Sequence, residues 1–304
     1  MSGFDAIDLS GLPAPAVVET VDYETVLAEM LADLQERDTA FTALVESDPA
    51  YKVLEVAAYR ETLLRQRVND AARAVMLAYA SGADLDQIGA NYNVVRLVID
   101  PGDPDAYPPV APTYETDTAY RRRIQMALEG VSVAGSRGAY TFHALSAADE
   151  NGVSLVKDAY PNSPTPAHVV VYVLGRDGDG TPDQSTLDAV AEAVNREKVR
   201  PLGDLVTVEP AGIVEFSVSA VLHVLDGPST ATVTATAQAA LQTYLTACHV
   251  IGAGVALSGI YEALHVAGVR RVELTVPAQD ITVQASEAAY CIGIDVTAAG
   301  GANG

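Results

Sequence analysis

The apolar period changes once along this chain, near residue 150, and that change constrains the fold more than any other feature. Before it, apolar residues recur at helical spacing; after it, they alternate. A 3-and-4 spacing gathers side chains on one helix face, whereas alternation gathers them on one face of a strand. A chain that runs from one pattern into the other is α+β, with helices and strands segregated. The expected architecture is an N-terminal long-helix hairpin or bundle region followed by two small α+β units.

Residues 1–22 read as an extended arm, because Pro13 and Pro15 bias their predecessors away from helix. Its apolar residues Phe4, Ile7, Leu9, Leu12, Val17 and Val18 need cover from a neighbouring surface. Residues 23–98 read as the helical region. A helix is expected over 23–46, with Leu27, Met30, Leu34, Phe41 and Leu44 in one stripe and Arg37 at its missing position. Asp48 then serves as a candidate N-cap and Pro49 as a first helical residue. The second helix is expected to run from Pro49 to Ala80, about 48 Å at roughly 1.5 Å per residue. Tyr51, Leu54, Ala58, Val68, Ala72, Val75 and Tyr79 form its stripe, interrupted by Glu61 and Arg65. Polar residues in such a seam weaken packing and select register and partner. Gly82 is expected to end this helix.

Residues 99–149 combine a proline-rich loop with connecting helices, one near Thr118–Glu129 and one near Ala139–Ala148. In 150–211, strands are expected at Val153–Lys157, His168–Leu174 and Asp204–Val208. Between them lies a helix opened by a Thr181…Gln184 capping box and closed near Arg200. In 212–304, a long strand at Ile213–Val224 precedes helices near Thr230–His249 and Leu257–Ala267. Strands at Arg270–Val276 and Ile281–Gln284 follow.

Charge excludes some functions. There are 18 Lys plus Arg against 40 Asp plus Glu, a net charge of −22, and such a surface repels nucleic-acid phosphate. The uncharged run Gly227–Tyr261 is broken by Pro228, Gly252 and Gly254, so no membrane insertion is expected. No basic and apolar leader is visible at the N-terminus. Cys248 and Cys291 fit a reducing compartment and a core role. No P-loop, zinc-protease helix, nucleophile elbow or dinucleotide-binding loop occurs. Asp177 and Asp179 resemble the start of a calcium loop, yet Pro182 and Asp188 replace its Gly and Glu, and a turn with a helix cap explains them. The five histidines are scattered. Arg121, Arg122 and Arg123 fan out around a helix, with Asp117 placed for local pairing with Arg121. No catalytic, cofactor-binding or metal residues are therefore expected.

An interaction protein fits better than an enzyme. Residues 1–50 hold 11 acids and one base, whereas 51–137 hold 11 acids and 10 bases. This asymmetry predicts docking of the acidic segment near Lys52, Arg60, Arg65, Arg67 and Arg73, within one copy or between copies. Arg270 and Arg271, the only bases after residue 200, mark a second candidate contact near Leu257–Leu274. The candidate interface residues are thus Leu34, Arg60, Glu61, Arg65, Arg67, Arg73, Arg270 and Arg271.

Four stretches carry a family resemblance: LPAPAVVETVDYETVLAEM (12–30), YRETLLRQRVNDAARAVMLAYASGADLDQIGANYNVVRL (59–97), DTAYRRRIQMALEGVSVAGSRGAY (117–140) and LSGIYEALHVAGVRRVEL (257–274). In order and spacing they resemble the baseplate protein J family of contractile-tailed phages, also found in phage-tail-like bacteriocins. The resemblance implies a structural wedge protein of the tail baseplate, with no cofactor and no catalytic residues. It implies a ring of six wedges around the central hub and spike, coupling host contact to sheath contraction. The implied partners are a second copy in the same wedge, neighbouring wedges, a protein I-like component, the hub and spike, and sheath-proximal proteins. The implied location is the virion tail baseplate, after assembly in the host cytoplasm. The rival classes are a tail-associated cell-wall hydrolase, which needs a paired-carboxylate or metal site, and a host-binding fibre, which needs repeats.

Overall fold

The computed structural model describes residues 7–13, 15–42, 44–225 and 229–299. In chain order its elements are α1 (Tyr23–Arg37), α2 (Pro49–Ala74), α3 (Gly82–Asn91), β1 (Val98–Asp100), β2 (Thr113–Tyr114), α4 (Asp117–Gly130), α5 (Arg137–Leu145), β3 (Val156–Thr165), β4 (His168–Gly175), α6 (Gln184–Asn195), β5 (Leu205–Pro210), β6 (Gly212–Val224), α7 (Thr230–Cys248), α8 (Leu257–Leu264), β7 (Val269–Val276) and β8 (Glu287–Ala299). The fold is α+β, as its pattern predicts: helices lead, and two three-stranded sheets follow. The chain divides into a helical unit from 5–96 and 116–125 and a larger unit built on 97–115 and 126–304.

In the helical unit, α1 opens where the Asp22 carboxylate accepts from the Thr25 amide at 2.9 Å. It stops at Arg37 rather than 46. Asp38 turns to extended backbone, and its carboxylate takes the Ala40 amide at 2.9 Å, a local bond that competes with helix continuation. Leu44 therefore lies outside the helix. α2 starts with Pro49 as expected, but Asp48 does not cap it; its carboxylate accepts from the Val45 amide at 2.8 Å instead. α2 ends at Ala74, ahead of the expected Ala80. The chain then turns, and Arg121 fixes that turn by donating to the Leu77 and Ala80 carbonyls, each at 2.6 Å. Gly82 opens α3 instead of ending α2. At Gly89 a Cβ would fall on the hydroxyl of Tyr120, a buried side chain that donates to the Val94 carbonyl at 2.7 Å.

In the larger unit, the proline-rich 100–114 segment is an ordered excursion. β1 and β2 pair at its base, and Asp103 and Val110 exchange amide bonds at 3.0 and 2.9 Å. The first sheet has the order β3-β4-β5, with β3 antiparallel and β5 parallel to β4 and α6 on the crossover. β3 runs over Val156–Thr165, past the expected Lys157, and includes Pro161 and Pro164. On an edge strand the missing proline amides need not break a ladder bond. The N-cap of α6 is Asp183, accepting from the Thr186 amide at 2.8 Å, rather than Thr181, and the helix closes at Asn195 rather than Arg200. Val156, Val171, Val173, Val190, Val194 and Val206 form the core of this half.

The second sheet has the order β7-β6-β8, with β6 antiparallel to β7 and parallel to β8. Phe216, Val218, Ala220, Leu222 and Val224 alternate onto one face of β6. They meet Val233, Ala237, Leu241 and Leu245, spaced by four on α7, and Ile260 and Leu264 on α8. Ala211 alone separates β5 from β6, so one nearly continuous extended run serves both sheets. β8 is the element the sequence hides. Its stretch EAAYCIGIDVTAA lacks the β-branched density of a strand and is held in register by β6. Ile281, expected in a short strand, makes only an isolated bridge to Val255.

Candidate assembly interface

α2 is apolar on two opposite faces. One face carries Tyr51, Leu54 and Ala58 and packs on Val26, Leu27, Met30 and Leu31 of α1. Asn69 continues it and is only 3% exposed. At about 100° per residue, Val53, Val56 and Leu64 fall on the other side, with Val68 and, at the C-cap, Val75 on the flank between the two faces. These five are 61–76% exposed. The single stripe read from the sequence is thus split: Leu54 and Ala58 face α1, while Val68 and Val75 lie on an exposed flank. Sustained apolar exposure along one helix face marks an interaction surface rather than scattered surface residues.

The candidate interface residues separate along the same division. Arg65 donates through Nε to Glu61 at 2.9 Å and lies 3.7 Å from Glu29 of α1, so Glu61 and Arg65 join the two helices of one chain. Leu34 on α1 is half-buried. Arg60 and Arg67 share the outward face with Val53, Val56 and Leu64, and Arg73 is exposed nearby; none of the three has an ion-pair partner among the described residues. Lys52 pairs with Glu55 at 2.9 Å. Arg270 and Arg271 lie exposed on β7, Arg271 3.6 Å from Glu273. The expected Asp117–Arg121 side-chain pairing is replaced. Asp117 binds Arg96 at 2.8 Å and the Gly82 amide at 3.1 Å, and Arg121 serves the 77–80 turn. The sequence missed Val53, Val56 and Leu64 because the seam was assigned to one face; their own spacing of 3 and 8 was the available signal.

Other chemistry is thin. Among the described residues, no three or more His, Cys, Asp and Glu side chains gather as a metal site, and no helix is long and apolar enough to cross a membrane. At the calcium-like loop, Asp179 accepts from the Thr181 amide at 2.9 Å, closing a turn. An open groove between α5 and α6 is lined by Asp149, Glu150, Asp188 and Glu192. Its histidine, His143, is already engaged through Nε2 with the Gly130 carbonyl at 2.8 Å.

Three family models match in succession: the Baseplate J-like N-terminal domain over 46–103, the central domain over 132–210 and the C-terminal domain over 216–297. Baseplate protein J of Escherichia phage P2 is 48% identical over 292 residues, covering 94% of this chain and 95% of that protein. The chain belongs to the baseplate J family. Membership makes it a structural protein of the phage baseplate, a virion component. The exposed face of α2 lies within the J-like N-terminal match, and the arginines of β7 lie within the C-terminal one.

Proposed function

We propose that this J-family chain is a wedge protein of a contractile tail, and that the outward face of α2 is its assembly contact, occupied by a second copy within the wedge. The observation that carries this reading is a helix face bearing Val53, Val56 and Leu64, with Val68 on its flank, exposed around Arg60 and Arg67, which have no ion-pair partner among the described residues. α1 already covers the opposite face, so an intrachain role does not explain the apolar residues outside. The net charge of −22 supplies carboxylates on the second copy for the two arginines. In this reading a smaller protein I-like component joins the pair, and β7 with Arg270 and Arg271 contacts the neighbouring wedge. Six wedges close around the hub and spike, and their rearrangement on host contact releases the sheath. Assembly takes place in the host cytoplasm.

The test uses the full chain carrying Leu64→Asp and Val68→Asp, compared with wild type by sedimentation and by co-purification with its baseplate partners. Both side chains already face water, so helix content is expected to stay at the wild-type level. Self-association and wedge formation are expected to fail. Wild-type assembly by the double variant overturns the α2 contact.

A further inference from the structure

The two sheets of the larger unit meet at one polar junction. His249, at the C-cap of α7, is 9% exposed. Its Nδ1 lies 3.0 Å from Nζ of Lys157 on β3. An ammonium has only donors, so Nδ1 accepts and the ring proton of neutral His249 sits on Nε2. That Nε2 is buried with no hydrogen-bond partner among the described residues. Two residues on, the Ile251 amide donates to Asp158 of β3 at 3.0 Å, and Ile251 packs against Leu174, Ala211 and Ala288. The 249–251 segment therefore fastens the second sheet's helix to the first sheet's edge strand.

We propose that this junction is a proton-sensitive latch: protonating His249 sets two cations 3.0 Å apart in a buried site and releases the 249–251 segment from β3. His249 is buried and Lys157 half-buried, so the pair is screened less than a surface pair and its repulsion is larger. The groups facing the ring come from each packed element. Lys157 stands on β3, Asp179 on the turn after β4, and Tyr290 on β8, its ring 5.2 Å away; Arg176 and Asp158 act on Lys157 in turn. Asp179 favours the charged ring, yet its main chain makes no hydrogen bond of acceptable geometry to Nε2. Relief by rotation is limited, because Gly180 sits so close that even a Cβ there would meet the ring at 3.1 Å. Burial first, and then Lys157, hold the His249 pKa below its ordinary value. The unfolded or opened state thus binds the proton more readily. The latch is closed above about pH 6.5 and weakens as pH falls from there through the folded-state pKa.

Amide hydrogen exchange on the full-length protein tests this at pH 7.5 and 5.0, corrected for the chemical exchange rate. In wild type, peptides covering 249–252 and 156–158 are expected to lose protection at the lower pH, by up to about tenfold per pH unit below the opened-state pKa. His249→Gln keeps an acceptor for Lys157 and cannot charge, so its protection should be equal at the two pH values. Unchanged wild-type protection overturns the latch, and so does an equal loss in the variant. Should His249→Gln fail to fold, Lys157→Met decides. Removing the ammonium must raise the titration midpoint of the His249 ring, read by NMR of the isotope-labelled imidazole, and no rise overturns the proposal.

Discussion

Asn69 and Glu19 hold each other by two hydrogen bonds, the Glu19 amide donating to Oδ1 at 3.0 Å and Nδ2 donating to the Glu19 carbonyl at 2.8 Å. The side-chain amide thus pairs with the arm as a neighbouring strand would, and it is buried in doing so. Further along the arm, Tyr79 donates to the Leu12 carbonyl at 3.1 Å and Gln125 to the Ile7 carbonyl at 3.0 Å. The described part of the arm is therefore tied by hydrogen bonds to the chain's own helical unit, while Ile7, Leu12 and Val17 stay 65, 44 and 55% exposed and Phe4 lies outside the described residues. Asn69→Ala leaves the Glu19 amide and carbonyl without these partners, a loss of about 1–3 kcal/mol. The expected outcome is a lower urea midpoint together with protease cleavage appearing in the arm while α2 stays intact. Unchanged cleavage would show that the other contacts suffice to hold it.

The contact between Gly89 and Tyr120 gives a second test. Gly89→Ala drives a methyl into the Tyr120 hydroxyl, which must leave the Val94 carbonyl. Overpacking and the lost bond together are expected to destabilise by about 2–4 kcal/mol. Tyr120→Phe alone loses the hydroxyl's bond to the Val94 carbonyl, about 1 kcal/mol. The two changes share one space, so the double variant should be more stable than the sum of the singles predicts. Strict additivity in thermal or urea unfolding would contradict this geometry.

Much of the fold was legible because period and punctuation agreed. The alternation of Phe216 to Val224 announced β6, Pro49 announced α2, and the 117–130 stretch announced α4. What stayed hidden depends on distant partners. β8 has little strand propensity and exists through its register with β6; β3 contains prolines that only an edge position tolerates. The proposed assembly face was half legible. Arg60 and Arg67 were named, but Glu61 and Arg65 attracted the same attention and turn inward to α1. Which side of a doubly apolar helix is covered depends on where α1 packs, and periodicity alone does not carry that.

Acid sensitivity of the helical unit should centre on Asp117. Partial burial opposes its charge, but the Gly82 amide and the Arg96 guanidinium outweigh burial and hold its pKa below the ordinary value. A depressed folded-state pKa contributes stability that is complete above the unfolded value, about 3.9, and is lost as pH falls through the folded one. Asp117→Asn can keep an acceptor for the Gly82 amide and lacks the charge. With a third of the carboxylate in water, the expected loss at pH 7 is about 1 kcal/mol. The wild-type and variant urea midpoints should converge as pH is lowered from 5 to 2.5. A constant gap across that range would assign the loss to packing rather than to the ion pair.

Charge reversal separates arginines that serve the fold from arginines proposed to serve assembly. Arg65→Glu removes the cation between Glu61 and Glu29 and leaves three carboxylates at the contact of α1 with α2. It should lower the melting temperature of the isolated protein. Arg60→Glu with Arg67→Glu changes two side chains that have no ion-pair partner among the described residues, on the face opposite α1. That double variant should melt with wild type or close to it, and should fail to assemble. Wild-type assembly should itself weaken as salt rises from 0.05 to 0.5 M, where screening shortens from about 14 to 4 Å. The reverse pattern, a stable Arg65→Glu protein and a wild-type-like assembly of the double variant, would place the contact elsewhere on the chain. The melting curve separates the two cases because, of the three, Arg65 alone has carboxylate partners among the described residues.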